Sequence, residues 1–124
     1  MAAREYRRAE FDLLTERLQE RRRFIQVLAG PRQSGKTTLA QQVAATVGPR
    51  VRFVSADDPG TRGAVWLDQQ WEIARTEAKE EGKQGSLLII DEIQKIPSWS
   101  EQVKRLWDED TAARLPLKIL ILGS

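Results

Sequence analysis

The stretch Gly30-Pro31-Arg32-Gln33-Ser34-Gly35-Lys36-Thr37 constrains this chain more than any other feature. It matches the pattern G-x-x-x-x-G-K-[ST], whose chemistry needs a strand on one side and a helix on the other. Both are legible. Residues 24–29 form a short apolar run that ends at Gly30, as a buried strand would. Past the glycines, Leu39, Val43 and Val47 recur at helical spacing until Gly48-Pro49 stops the helix. Gly35 lets the backbone wrap an anion without a Cβ in the way. The loop amides and the dipole of the following helix converge on the same point. Pro31 has no N–H, so the candidate donors beyond the Gly30 turn are Arg32, Gln33, Ser34, Gly35, Lys36, Thr37 and Thr38. Lys36 is placed to reach the outer phosphates of a nucleotide, and the Thr37 hydroxyl to ligate Mg²⁺. The structural alternative is a glycine-bearing turn ahead of a helix.

A second segment completes the first. Leu87-Leu88-Ile89-Ile90 is an unbroken apolar run followed at once by Asp91-Glu92. Such a run puts its first acid at the C-terminal edge of a buried strand, where open α/β sheets bind ligands. Asp91 is then the candidate metal acid. Glu92 is the candidate catalytic acid, able to polarise an attacking water, a task worth roughly 10²–10⁴ in rate. Alone, Asp91 could as well cap a turn and Glu92 face solvent.

The remaining pattern alternates helix and strand. Residues 4–22 read as an amphipathic helix with Phe11, Leu14 and Leu18 on one face. Residues 51–55 read as a strand, and Asp57-Asp58-Pro59-Gly60 as a turn. Residues 66–81 form a helical stripe of Leu67, Trp71, Ala74 and Ala78, stopped by Gly82. Ser98-Trp99-Ser100-Glu101 has the form of a capping box, opening a helix that carries Val103, Leu106 and Trp107. Residues 117–122 are a last strand. Apolar strands alternating with helices imply an α/β fold, a parallel sheet covered on both faces. At 124 residues the chain is read as one domain, a helix over 1–23 ahead of a core over 24–124.

Composition narrows the chemistry. The chain has no cysteine and no histidine, which removes disulfides, the usual zinc sites, thiol nucleophiles and imidazole bases. Catalysis would have to use carboxylates, lysine, hydroxyls, backbone dipoles or a hard oxygen-bound metal. No apolar run is long enough to span a bilayer and the N-terminus has no signal-like segment, so the expected location is cytoplasmic. The net charge of +2 hides a basic concentration at Arg4, Arg7, Arg8, Arg17 and Arg21-Arg22-Arg23. Such a cluster can track nucleic-acid phosphates, but it more often reads as a solvated helix face. No basic–aromatic interleaving is evident, and Trp71 and Trp107 fit apolar helix faces, as core residues would. Gln94 could touch an attacking water or a terminal phosphate, though it reads better as a solvated loop residue. Asp57 and Asp58 could join a water network around a metal, though they read better as turn formers. The direction of Arg32 is open.

Together, "GPRQSGKTTL", "DDPGTR", "LLIIDEIQKIPSW" and "LKILILGS" resemble the ATPase core of a prokaryotic AAA-type group. Members carry a GPRQ-x-GKTT loop (Walker A) and a DEIQ strand end (Walker B). The resemblance runs from about Arg4 onward. It implies a P-loop NTPase three-layer sandwich with strand order 1-4-3-2, ATP and Mg²⁺ as cofactors, and hydrolysis coupled to a motor or switch. It makes Lys36 and Thr37 the phosphate and metal contacts, Asp91 the metal acid and Glu92 the catalytic acid. It also places Ser124 where a polar sensor faces the γ-phosphate. A fifth strand, a helical lid, a second sensor and an arginine finger would lie beyond Ser124. The chain is therefore expected to be a truncated core with residues 24–29 as its open edge. It would need a homo-oligomer or protein partner to supply the finger. Two other readings share the same cradle: a small-molecule or nucleotide kinase with Arg62 and Arg75 near its acceptor, and a binding module without turnover.

Overall fold

The structure is a computed structural model that describes residues 2–30, 35–47, 50–57 and 63–123, with side chains from residue 9 onward. Its elements run α1 (Ala2–Gln19), β1 (Gln26–Ala29), α2 (Lys36–Val47), β2 (Arg50–Ser55), α3 (Gly63–Glu81), β3 (Ser86–Asp91), α4 (Trp99–Ala112) and β4 (Leu117–Gly123). Short 3₁₀ turns at Gly82–Gln84 and Ile93–Lys95 follow α3 and β3. The four strands form one parallel sheet in the order β1-β4-β3-β2. This is the order expected from the resemblance, with β4 inserted between β1 and β3.

Alternation along the central strands explains the layers. Leu87 and Ile89 of β3 and Leu120 and Leu122 of β4 pack with Leu14 and Leu18 of α1 and Leu39, Ala40 and Val43 of α2. The intervening residues Leu88, Ile90, Ile119 and Ile121 face the other way, onto Leu67, Trp71, Ala74 and Ala78 of α3 and Val103 and Leu106 of α4. Every residue of β3 is buried. A continuous apolar run is what a strand sandwiched between two helical layers requires.

β1 behaves differently. The sequence reads it as a buried strand over 24–29, but it spans Gln26–Ala29 and is paired with β4 alone among the described residues. Phe24 is 68% exposed and Val27 60%. Phe24 precedes the strand. Val27 points to the face of β1 opposite Leu28, which packs against the α1–α2 cluster, while Val27 joins neither buried cluster of the described residues.

Two local readings need correction. α1 ends at Gln19, not Arg22. Arg22 instead turns inward: Nε donates to Leu117 O at 2.7 Å, Nη1 to Thr111 Oγ1 at 2.8 Å and Nη2 to Trp107 O at 3.0 Å. Its guanidinium also stacks 3.5 Å from the Trp107 ring centroid. Burial pushes the Arg22 pKa below its ordinary value, against the pull of Asp110. The capping box at Ser98 does not form. Ser98 sits in the left-handed region (φ 56°, ψ 30°) and its side chain caps nothing, because an N-cap hydroxyl reaches the helix amides only from an extended backbone.

The α3–α4 contact is held by a buried polar knot. Asp110, 2% exposed, accepts from Trp71 Nε1 at 2.8 Å and from Arg75 Nε at 2.6 Å. Arg75 also donates to Leu106 O and Glu109. Burial alone would lower the Arg75 pKa, but hydrogen bonds to Glu109 and Asp110 raise it. Arg75, considered above as part of an acceptor site, is thus committed to packing two helices together. Trp66 and Trp99 lie partly buried against the same core.

Candidate functional site

The C-terminal ends of all four parallel strands lie along one edge of the sheet. At this edge the Gly30 amide, just after β1, donates to Gly123 O at the end of β4, 3.2 Å away. Gly35 has φ 85°, a conformation that admits glycine far more readily than any other residue, and it leads directly into α2. The Leu39 amide returns to Gly35 O at 2.9 Å, so the helix begins at the second glycine of the motif. Lys36 Nζ donates to Gly30 O at 2.8 Å, folding the lysine back toward the end of β1. Thr38 is exposed. Arg32, Gln33, Ser34 and Ser124, all candidates from the sequence, lie outside the described residues, as do Asp58 and Arg62.

Fifty-four positions after Thr37, β3 brings the acids to the same place. Thr37 Oγ1 donates to Asp91 Oδ2 at 2.9 Å. The other carboxylate oxygen, Oδ1, accepts the Glu92 amide at 2.9 Å, and Asp91 O accepts the Ala56 amide, tying in the end of β2. A hydroxyl and a carboxylate oxygen thus meet within hydrogen-bond distance on the rim of the loop. These are hard oxygen donors of the type magnesium takes. Among the described residues no group of three or more His, Cys, Asp or Glu side chains could hold a metal. An ion here would therefore complete its shell with water and phosphate oxygens, as Mg²⁺ ordinarily does. The donor set fits it.

Glu92 adopts the left-handed conformation, φ 56° and ψ 40°, which costs a non-glycine residue about 1–3 kcal/mol. It turns the chain sharply out of β3 into the 3₁₀ turn and brings Gln94 back over the glutamate. Gln94 Nε2 donates to Glu92 Oε2 at 2.6 Å. Gln94 is exposed, as a solvated loop residue would be, and it is also a partner of the catalytic candidate. The signal that could have found it is the two-residue spacing Glu92-x-Gln94, which brings the side chains together only if Glu92 takes the left-handed turn. The same glutamine approaches the end of β4. A Cβ built on Gly123 would stand 3.3 Å from Gln94 Oε1 and 3.3 Å from Ile93 Cγ2. Lys95 Nζ pairs with Asp57, whose amide donates to Ser55 Oγ. Asp57 thus makes the expected turn and also pins the strand end opposite Asp91.

Lys36, Thr37, Asp91, Glu92 and Gln94 are consequently drawn from two separate segments into one cluster beside Gly30, Gly35 and Gly123. A family model described as an AAA domain matches residues 22–124 of the chain. The chain belongs to the AAA domain family. It is a nucleotide-binding core of the ATPase type characteristic of that family. Comparison with curated proteins gives no match. Among solved structures, this AAA domain is similar to one from work on the structural basis of katanin self-assembly. There the identity is 26% over 81% of this chain and 33% of that one, with a TM-score of 0.53. It is also similar to two variants of Thermotoga maritima RuvB, each 22% identical. These cover 97% and 96% of this chain and 38% of theirs, with TM-scores of 0.63 and 0.62. The likeness to RuvB is one of fold. The AAA domain described here spans between 33% and 38% of the length of these structures.

Proposed function

We propose that this AAA domain binds ATP with Mg²⁺ in the loop of residues 30–38 and is built to hydrolyse it, acting as the nucleotide-driven motor or switch of a longer protein. The observation that carries the reading is the Thr37–Asp91 hydrogen bond of 2.9 Å. It joins the loop motif and the acidic strand end into one oxygen-lined site beside the Lys36 ammonium. In this reading Lys36 leaves Gly30 O for the phosphates. Gly35 and the amides that open α2 hold the anion, together with Arg32, Gln33, Ser34 and Thr38. Thr37 and Asp91 hold the magnesium, which when bound would neutralise charge on the outer phosphates. Glu92 accepts a proton from the attacking water through its carboxylate, and Gln94, donating to Oε2, fixes how that carboxylate is turned. Ser124, one residue past Gly123, would face the terminal phosphate as a sensor. An arginine finger from another copy or a partner protein, a group worth roughly 10³–10⁵ in rate in other P-loop enzymes, would complete the site. Hydrolysis by this chain alone is accordingly slow or absent.

Competition of ATP and GTP for a fluorescent nucleotide analogue, with and without Mg²⁺, tests the proposal. Preference for ATP and loss of affinity on chelating the metal are expected; preference for GTP or indifference to chelation would contradict it. Phosphate release with water as the sole acceptor separates a hydrolase from a kinase.

A further inference from the structure

The end of the sheet opposite the nucleotide site holds a cavity of about 280 Å³ between the last turns of α1, residues 20–24 and the starts of β1 and β4. Its lining carries five cations, Arg17, Arg21, Arg22, Arg23 and Lys118, against two carboxylates, Glu16 and Glu20. The whole chain has a formal net charge of only +2, so the rest of the molecule is acidic on balance. The net positive charge of the chain is thus matched by the residues of this pocket.

These cations divide into two sets. Arg22 and Lys118 are structural. Arg22 is held by Leu117 O, Trp107 O and the Trp107 ring, and Lys118 Nζ donates to Leu18 O on the floor. Burial pushes the Lys118 pKa down, opposed by Glu20. Arg17, Arg21 and Arg23 are exposed and make no ion pair among the described residues. Arg50, Arg52, Arg75 and Arg105 all have carboxylate partners. Because Arg22 is anchored inward, its neighbours Arg21 and Arg23 are presented outward from a fixed stretch of backbone, which limits the ordering cost of engaging a ligand.

The pocket is also apolar where a polyanion site alone need not be. Leu13 is 51% exposed and Phe24 68%, two of the five large hydrophobic side chains exposed on the described surface, and both line this cavity. The Arg23 guanidinium lies over one face of the Phe24 ring, 5.5 Å from its centroid. The 68% exposure of Phe24 leaves much of the ring open to solvent beside arginines that have no carboxylate partner among the described residues. Guanidinium groups match phosphates, and an open aromatic face accepts an unstacked base. A duplex would use the arginines but could not bring its paired bases onto Phe24. We propose that this pocket binds single-stranded nucleic acid, with Arg17, Arg21 and Arg23 on the phosphates and a base stacked on Phe24.

The test is fluorescence anisotropy of a labelled single-stranded thymidine oligonucleotide titrated with the chain at several salt concentrations. Binding should weaken with salt with a logarithmic slope near −2, at about 0.7 per neutralised phosphate for the three free arginines. The double variant Arg21→Glu/Arg23→Glu should lose at least tenfold in affinity. Phe24→Leu should lose about fivefold or more on the single strand and nothing on a duplex of equal length. These side chains are on the surface, so the variants should melt with the parent. Lys36→Ala should bind the oligonucleotide unchanged. Absence of binding at low salt would overturn the proposal. So would loss on Lys36→Ala, which would place the strand in the phosphate loop. Equal binding of heparin with no effect of Phe24→Leu would reduce the pocket to a general polyanion surface and would overturn it too.

Discussion

Replacing Asp110 by alanine tests how the two helices that cover one face of the sheet are held. The carboxylate is buried and accepts two hydrogen bonds, one from the fully buried Trp71 indole and one from Arg75. Its loss leaves the Trp71 N–H with no acceptor, a cost of about 1–3 kcal/mol. Breaking a buried pair by removing one partner typically costs about 3–5 kcal/mol. Arg75 retains Glu72, Glu109 and Leu106 O, so its charge is not abandoned. The low end, about 3 kcal/mol, is therefore expected for Asp110→Ala. Asp110→Asn keeps an acceptor for Trp71 but loses the charge and the bond from Arg75 Nε, which its amide NH₂ would face instead. About 1–2 kcal/mol is expected because Trp71 stays satisfied. Urea unfolding followed by tryptophan fluorescence measures both, with an unchanged slope against denaturant showing that the native state is intact. A loss below about 1 kcal/mol for the alanine variant, or equal losses for both, would refute the argument that Asp110 stabilises by satisfying Trp71 and Arg75 together.

Three further outcomes follow from the site. Glu92→Gln should leave nucleotide affinity within about twofold and abolish whatever phosphate release the chain shows, since it keeps the shape and removes the charge; a colorimetric phosphate assay beside a binding titration measures it. Gln94→Leu should lower the turnover number about tenfold without changing affinity, the worth of one charge-assisted hydrogen bond near solvent. In the nucleotide-free chain, the Gln94 side-chain amide resonance should shift on Glu92→Gln. Gly123→Ala should destabilise by roughly 1 kcal/mol, because the new methyl must displace Ile93 and Gln94 in a packed site, and thermal melting would record it.

How far the sequence disclosed this molecule depended on whether the determining interaction was local. β3 and β4 were legible because four consecutive apolar residues can be satisfied only between two layers, and Asp91 was legible because it ends such a run. The α3 stripe at Leu67, Trp71, Ala74 and Ala78 was legible for the same reason. Tertiary contacts decided the rest. Nothing within α1 says that it stops at Gln19; the acceptors that draw Arg22 inward lie on α4 and β4, more than 80 positions away. Ser98 has the residues of a capping box but a left-handed backbone that prevents the cap. Gln94 meets Glu92 only because Glu92 also takes a left-handed turn, which no propensity of glutamate favours. Phe24 has the composition of a core residue and sits beside arginines at an open edge. Ser124, Arg32, Gln33 and Ser34 fall outside the described residues, and their roles rest on the motif.

The claim on which the rest depends is that residues 30–38 cradle the phosphates of a nucleotide. Isothermal titration of Mg²⁺-ATP into the parent chain and into Lys36→Ala tests it most directly. Removing the ammonium that now sits on Gly30 O deletes a positive charge at the loop, and a loss of roughly tenfold or more in affinity is expected, measured at a temperature where both chains are folded. Binding by Lys36→Ala as tight as by the parent chain would contradict the account.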